Sequence, residues 1–109
     1  MCKVCNIDIK HSEKTYKKLS TFVGKLKKSF PVKDVYLYGS FARGDFHEGS
    51  DIDLVIVGDF KEKFFERIAN VLELTNLPIE PLVYTQAEFE RTKKKSSFLK
   101  KVVREGVKL

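Results

Sequence analysis

The stretch that decides the fold runs from Tyr38 to Leu54 and reads Tyr-Gly-Ser-Phe-Ala-Arg-Gly-Asp-Phe-His-Glu-Gly-Ser-Asp-Ile-Asp-Leu. A β-branched and aromatic run ends at Gly39, so a strand enters a turn there and leaves backbone N–H groups that no ladder satisfies. Such a concavity binds phosphate oxygens. Gly39 has no Cβ to obstruct the approach, Ser40 adds a hydroxyl donor, and Arg43 offers a charged fork. These three residues predict a phosphate-binding site.

Two aspartates, Asp51 and Asp53, open the next strand. Alternate residues of a strand point to one face, which puts these two carboxylates about 7 Å apart at Cα, while Ile52 and Leu54 point into the core. Two carboxylates on one face repel each other unless a cation joins them. Hard oxygen ligands beside a phosphate site suit Mg²⁺, which bridges to substrate phosphates. The spacing therefore predicts metal ligands at Asp51 and Asp53.

Each half of this pattern also has an ordinary explanation. A lone Gly-Ser is a common turn, and a lone Asp-x-Asp solvates a strand end. The two occur here in a fixed order, each at a strand end, with Ser40 and Asp51 eleven positions apart, which favours the functional interpretation. Between them, residues 41–44 are predicted to form a helical turn and residues 45–50 a loop. The polar side chains of that loop are interpreted as solvated, including Asp45, His47 and Glu48.

Hydrophobic periodicity supplies the elements around this stretch. The predicted order is a helix over residues 12–30, strands over 35–38 and 51–57, a helix over 61–74, a strand over 79–84 and a helix that begins at 88 and ends before Gly106. Pro81 weakens the third strand and predicts an edge position or a break. Thr85 and Glu88 form a capping-box pattern before the last helix, and Gly106 is the expected residue after its end. This order predicts an α/β (α+β) two-layer domain, a small mixed sheet covered by helices.

Length and composition bound the remaining classes. The 109 residues predict a single domain over 1–109, with residues 1–11 a flexible N-terminal segment. No apolar run approaches the roughly 20 residues of a membrane span, and the start of the chain lacks the apolar stretch of a secretory signal. We therefore expect a cytoplasmic protein that does not contact a membrane. Cys2 and Cys5 are interpreted as incidental thiols, and a zinc site shared between chains is the alternative.

The net charge of +6 is carried by clustered lysines. A basic surface attracts polyanions such as nucleic acid or nucleotides. Lysines also coat the solvent faces of amphipathic helices, where their stems cover apolar surface. Because the basic stretches carry no interleaved aromatic residues, coating is the favoured interpretation and nucleic acid the less favoured partner.

The stretch from Gly39 to Leu54 resembles the signature of the DNA polymerase β-type nucleotidyltransferase superfamily. It is most similar to the minimal nucleotidyltransferases, which occur as short stand-alone domains. The resemblance implies a palm-like mixed sheet and a nucleoside triphosphate, ATP or another, bound with two Mg²⁺ ions. It also implies transfer of a nucleoside monophosphate to a hydroxyl group with release of pyrophosphate.

The family places a third carboxylate on a later strand, where it activates the attacking hydroxyl. The matching residue here is Glu80, so the resemblance implies that Asp51, Asp53 and Glu80 are the catalytic metal ligands. This chain departs from the family in carrying Glu where Asp is usual, followed by Pro81. A glutamate at the solvent-exposed rim is the alternative interpretation.

The resemblance also implies a partner. Minimal nucleotidyltransferases are often paired with a small helical HEPN protein in a toxin–antitoxin system, and some adenylylate that partner. We therefore expect a HEPN-type acceptor, and homo-oligomers stay open. The competing hypothesis is a non-catalytic nucleotide-binding antitoxin or regulatory module, which the Glu80-Pro81 departure favours.

Overall fold

The computed structural model describes residues 5–39 and 52–109, with side chains from residue 16 onward. Predictions made for Ser40, Arg43 and Asp51, and for the segment 41–50 between them, lie outside the described residues, as does Cys2. The described elements are α1 (Cys5–Ser29), β1 (Val32–Tyr38), β2 (Ile52–Gly58), α2 (Phe64–Leu72), β3 (Ile79–Thr85), α3 (Gln86–Lys95), α4 (Ser97–Glu105) and β4 (Val107–Lys108). Within these ranges, no helix is long and apolar enough to cross a bilayer.

The four strands form one mixed sheet in the order β3-β2-β1-β4. β1 pairs antiparallel with β2 and with β4, whereas β2 and β3 run parallel. The parallel pair needs a crossover, and α2 supplies it. The predicted small mixed sheet covered by helices is confirmed. Pro81 lies in β3 at an edge of the sheet, the position predicted for a residue that cannot donate to a ladder.

Helices cover both faces of the sheet. α1 and α2 pack on one face, where Leu26 and Val71 meet Leu54 in one buried cluster. α3 and α4 pack on the other face, where Phe89 and Leu99 join a second buried cluster. The two-layer prediction did not include this second helical layer. It exists because β2 buries every residue from Leu54 to Gly58, so both of its faces need a cover.

Two helix boundaries differ from the predictions. α1 begins at Cys5 rather than Ser12, so residues 5–11 belong to this helix. Those residues include no glycine or proline, and an established helix extends at little cost through such residues. The predicted C-terminal helix is divided at Ser96, whose N–H donates to Thr92 O at 2.8 Å and whose Oγ accepts from Leu99 N at 3.2 Å. Ser96 thus ends one helix and caps the next.

The chain ends in a short strand that periodicity did not predict. β4 pairs with β1 through Leu37, and Leu109 N donates to Val35 O at 2.8 Å. Gly106 allows this return although its φ is −74°, which is not left-handed. A Cβ there would lie 3.0 Å from Leu37 O and nearer still to Val102 O. The glycine is therefore required by the closeness of Val102 O at the end of α4, and of Leu37 O in β1, rather than by a left-handed turn.

A buried arginine joins α2, β3 and α3. Among the described side chains, Arg67 is the one charged group in the core, with 6% of its surface exposed. Its Nη1 lies 2.6 Å from Glu88 Oε1, its Nε donates to Glu62 O at 2.6 Å, and Nη1 also reaches Val83 O at 3.3 Å. The predicted capping box is confirmed, with Thr85 N donating to Glu88 Oε1 at 2.9 Å. Glu88 therefore serves the helix cap and the partly buried ion pair at once.

We expect Glu88→Gln to lower the free energy of unfolding at neutral pH by about 1–3 kcal/mol. The variant leaves the guanidinium of Arg67 buried without its counter-charge. Urea unfolding of both proteins gives the difference. The matched control is Glu90→Gln on the same helix, whose surface ion pair with Lys93 is worth less than about 1 kcal/mol.

The same variant carries a pH signature. The hydrogen bond from Arg67, and then that from Thr85, holds the pKa of Glu88 below its ordinary value of 4.5, against an opposing effect of burial. A lowered folded-state pKa stabilises the fold above the unfolded-state pKa, and this stability is lost as the pH falls through the folded-state value. The difference in the free energy of unfolding between wild type and Glu88→Gln should therefore disappear as the pH falls below 4.5. A difference that stays constant in acid would contradict the assignment.

Candidate active site

Three polar side chains form a row across the sheet. Tyr38 of β1 is the register partner of Asp53 in β2, and Asp53 is the register partner of Glu80 in β3. Register partners on adjacent strands point to the same face and are separated by roughly 5 Å. The face is the one that α3 and α4 cover, because Tyr38 packs against the cluster that contains Val55 and Val57. Two carboxylates and a phenol thus meet where the strands leave the core.

The two carboxylates act electrostatically on Tyr38. Burial raises the pKa of Tyr38 first, and the negative charges of Asp53 and Glu80 raise it further, to about 12. The phenol therefore stays protonated and can serve as a hydrogen-bond donor. Its ring meets Phe98 of α4 edge to face, with centroids 5.2 Å apart. This contact fixes the Tyr38 ring at one end of the row.

Gly39 turns the chain directly beside Asp53. Its φ is +76°, in the region that residues with a Cβ rarely adopt. A Cβ built on Gly39 would collide with Oδ2 of Asp53 and lie 3.2 Å from its Cγ. The sequence predicted this glycine as a place where phosphate meets the backbone. In the structure, the missing side chain leaves room for the Asp53 carboxylate at the end of the same strand pair.

The donor set of this row fits a hard divalent cation. Asp53 and Glu80 supply carboxylate oxygens from adjacent strands, the ligand type that Mg²⁺ prefers. The bare Cα of Gly39 leaves space on the Asp53 side. Residues 5–39 and 52–109 do not by themselves contain a group of three side chains that could hold a metal. The predicted further ligand, Asp51, lies outside those ranges.

Two cavities flank the row, and Tyr38 lines both. The first, of about 190 Å³, adjoins Gly39 and is walled by α4 through Phe98 and Lys101. The second, of about 400 Å³, adjoins Glu80 and is walled by α2 through Ile68 and Leu72. The row therefore has open space at its glycine end and at its glutamate end. This arrangement suits a reaction between two substrates.

Gly39, Asp53 and Glu80 are thus brought together, while Ser40, Arg43 and Asp51 lie outside the described residues. Sequence reasoning missed Tyr38, which it took only as the end of a strand. Strand alternation could have found it, because Tyr38 follows Tyr36 on one face and immediately precedes Gly39. No local signal connects Phe98 or Lys101 with Gly39, because α4 reaches β1 only through the packing of the second core cluster.

A mixed sheet that gathers carboxylates beside a glycine turn defines a nucleotidyl-transfer palm. The model of the nucleotidyltransferase domain family matches residues 17–104, and the chain belongs to this family. It is similar to a putative protein adenylyltransferase of Methanocaldococcus jannaschii, 34% identical over 92 residues that cover 83% of this chain and 92% of the relative. A second putative protein adenylyltransferase of that organism is 41% identical over 49 residues, 45% of this chain and 47% of the relative.

A solved structure agrees in fold. The crystal structure of a putative nucleotidyltransferase from Sulfolobus solfataricus superposes with a TM-score of 0.64 and 28% sequence identity. The alignment covers 84% of this chain and 82% of that one. The family match and the relatives establish the chain as a nucleotidyltransferase-type transferase, which confirms the enzyme class predicted from the motif.

We expect Gly39→Ala to abolish nucleotide binding and transfer, and Gly39→Val to do so as well. The new Cβ displaces the Asp53 carboxylate. Holding a residue that has a Cβ in the left-handed conformation lowers the stability by a further amount of about 1–2 kcal/mol. Calorimetric titration with ATP and Mg²⁺ measures binding. The matched control is Gly24→Ala in α1, where a Cβ meets nothing within 4 Å. Normal ATP binding by Gly39→Ala would mean that the phosphates lie elsewhere.

Proposed function

We propose that this chain binds a magnesium–nucleoside triphosphate, with ATP the leading candidate, and transfers the nucleoside monophosphate to a hydroxyl group of a protein. The observation that carries the proposal is the row of Tyr38, Asp53 and Glu80 beside Gly39. Glu80 is the register partner of Asp53, so the Glu-for-Asp departure and Pro81 do not remove the third carboxylate from the row. The reaction would take place in the cytoplasm, where ATP is available.

The reaction is an in-line displacement at the α-phosphorus. The acceptor oxygen forms a bond to phosphorus, the bond to the pyrophosphate oxygen breaks, and the acceptor proton passes to the carboxylate of Glu80. In this proposal, Asp53 and Asp51 act at the triphosphate as ligands of the metal ion. Gly39, Ser40 and Arg43 orient the phosphates. Asp51, Asp53 and Glu80 would hold Mg²⁺, which would neutralise charge on the triphosphate and on the leaving group. The Tyr38 phenol, which stays protonated, donates a hydrogen bond beside the reacting groups.

The two cavities divide the substrates between them in this proposal. The nucleotide occupies the side of Gly39, where Phe98 offers an aromatic wall and Lys101 a positive charge. The acceptor occupies the side of Glu80, because the group that takes its proton must be within hydrogen-bond reach.

A protein acceptor is supported by the relatives, two of which carry the name of putative protein adenylyltransferase. The family resemblance adds the expectation that the acceptor is a HEPN-type helical protein and that the pair forms a toxin–antitoxin system. The first acceptor to test is the product of the neighbouring gene.

Glu80→Gln should bind ATP with nearly wild-type affinity yet transfer the nucleotide at least about 100-fold more slowly. Asp53→Asn should lose Mg²⁺-dependent ATP binding as well, because Asp53 lies at the triphosphate. Transfer is measured with ATP labelled at the α-phosphate, and binding by calorimetry. Glu90→Gln on α3 is the control for removing a surface carboxylate.

Equal transfer by Glu80→Gln and wild type would remove Glu80 from the mechanism. Wild-type protein that binds ATP but labels no acceptor would favour the nucleotide-binding antitoxin or regulatory module. Label on RNA ends alone would replace the protein acceptor with nucleic acid.

A further inference from the structure

An apolar stripe runs along the outer side of α2. Phe65 is 81% exposed and Leu72 is 41% exposed, and Ala69 is exposed between them while Ile68 is half-buried. Steps of three and four residues align these side chains on one side of a helix. We call these four residues the α2 stripe. α2 already buries Val71 in the core. Its exposed phenylalanine indicates that the outer side of the helix also contacts an apolar surface, one that belongs to another molecule.

The α2 stripe is continuous with the candidate active site. Ile68 and Leu72 line the same cavity of about 400 Å³ as Tyr38 and Glu80. A molecule that covers the stripe therefore also reaches the carboxylate that is proposed to take the acceptor proton. The stripe lies on the acceptor side of the row, away from Lys101 and the cavity beside Gly39.

Along α2 and β3 the exposed charges are acidic, although Lys61 and Lys63 lie just before α2. The protein carries 21 lysines and arginines and a net charge of +6, yet between residues 64 and 85 the one basic residue is Arg67. Arg67 is buried against Glu88 and unavailable to a partner. The acidic residues of that segment, Glu66, Glu73 and Glu80, are all exposed. Glu66 and Glu73 are seven positions apart, so they line one border of the stripe.

We propose that the α2 stripe is the docking surface for the acceptor protein, which contacts it through an apolar segment flanked by lysine or arginine residues. The inference rests on the proposed function, since it assumes that Glu80 faces the acceptor. Apolar contact with the stripe positions the segment, and its basic residues pair with Glu66 and Glu73. The acceptor hydroxyl then enters the cavity beside Glu80.

The same charges disfavour nucleic acid on this surface. A phosphate backbone needs available lysine or arginine side chains, and the segment 64–85 offers none. Most of the lysines lie instead on α1, α3 and α4, and the two nearest to the stripe in sequence, Lys61 and Lys63, precede α2. The acceptor surface is thus an apolar and acidic region within a basic protein, which selects a basic protein segment.

The first experiment compares transfer and nucleotide binding. The double variant Phe65→Ser with Leu72→Ser should transfer labelled AMP to the neighbouring gene's product at least about tenfold more slowly, the scale of losing central interface contacts. Its ATP affinity should be unchanged. Both substituted side chains are exposed, so we expect the fold to be kept, and circular dichroism of the variant checks this. Val103→Ser on α4, with 38% exposure against 41% for Leu72, is the matched control and should behave as wild type.

The second experiment tests the chemistry of the partner without using the transfer reaction. Two fluorescent amphipathic peptides share one leucine pattern, and their polar positions hold lysine in one and glutamate in the other. The lysine peptide should bind wild type, and the Phe65→Ser, Leu72→Ser variant should bind it at least about tenfold more weakly. The double variant Glu66→Lys with Glu73→Lys should also bind the lysine peptide more weakly, whereas Glu90→Lys should bind it as wild type does.

The outcomes separate this inference from the proposed function. If the wild type transfers nucleotide to no protein, the proposed function is overturned. If the stripe variant transfers as fast as the wild type, only the docking surface is overturned. The inference is also overturned if the stripe substitutions weaken binding of the glutamate peptide or of single-stranded RNA instead. A wild-type dimer that dissociates in the stripe variant would assign the stripe to a second copy of this chain.

Discussion

The position of β2 in the middle of the sheet is the constraint on which the rest of the structure depends. β2 pairs with β1 on one side and with β3 on the other, and its residues from Leu54 onward are buried on both faces. A slip of one residue against either neighbour would turn Asp53 toward the face covered by α1. Because that face is filled by apolar side chains, such a slip would bury a carboxylate without a partner. The core thus fixes the register that aligns Tyr38, Asp53 and Glu80.

The candidate site lies where burial ends. Val55 is fully buried, while Asp53, two residues earlier on the same face, is half-exposed. Carboxylates close together need solvent or a cation, so the end of the strands is the place where they can be held in a row. Burial, and after it the charges of Asp53 and Glu80, raise the pKa of Tyr38 at this point. The ion pair of Arg67 with Glu88 fixes α2 against β3 and α3, which keeps the α2 stripe beside Glu80.

Several elements were predictable because they depend on neighbours in the chain. The Thr85 and Glu88 capping box, the edge position of Pro81 and the strands on either side of the glycine turn follow from short-range patterns. The second use of Glu88, as the counter-ion of Arg67, was not predictable, because the two residues lie on different helices. β4 was missed since two residues carry no measurable periodicity. The break at Ser96 was missed because the apolar positions on both sides suggested one continuous helix.

The sequence by itself determined the family, the glycine turn and the carboxylates at strand ends, since each depends on residue type and spacing within one element. Tertiary structure decided which strands are neighbours. Asp53 and Glu80 are 27 positions apart in sequence, and only the crossover of α2 brings β3 parallel to β2 with those residues in register. It also decided that α4 closes over Tyr38 and that the α2 stripe opens beside Glu80. Periodicity reports which side of an element is buried, whereas register between distant strands arises from packing both faces of β2 at once.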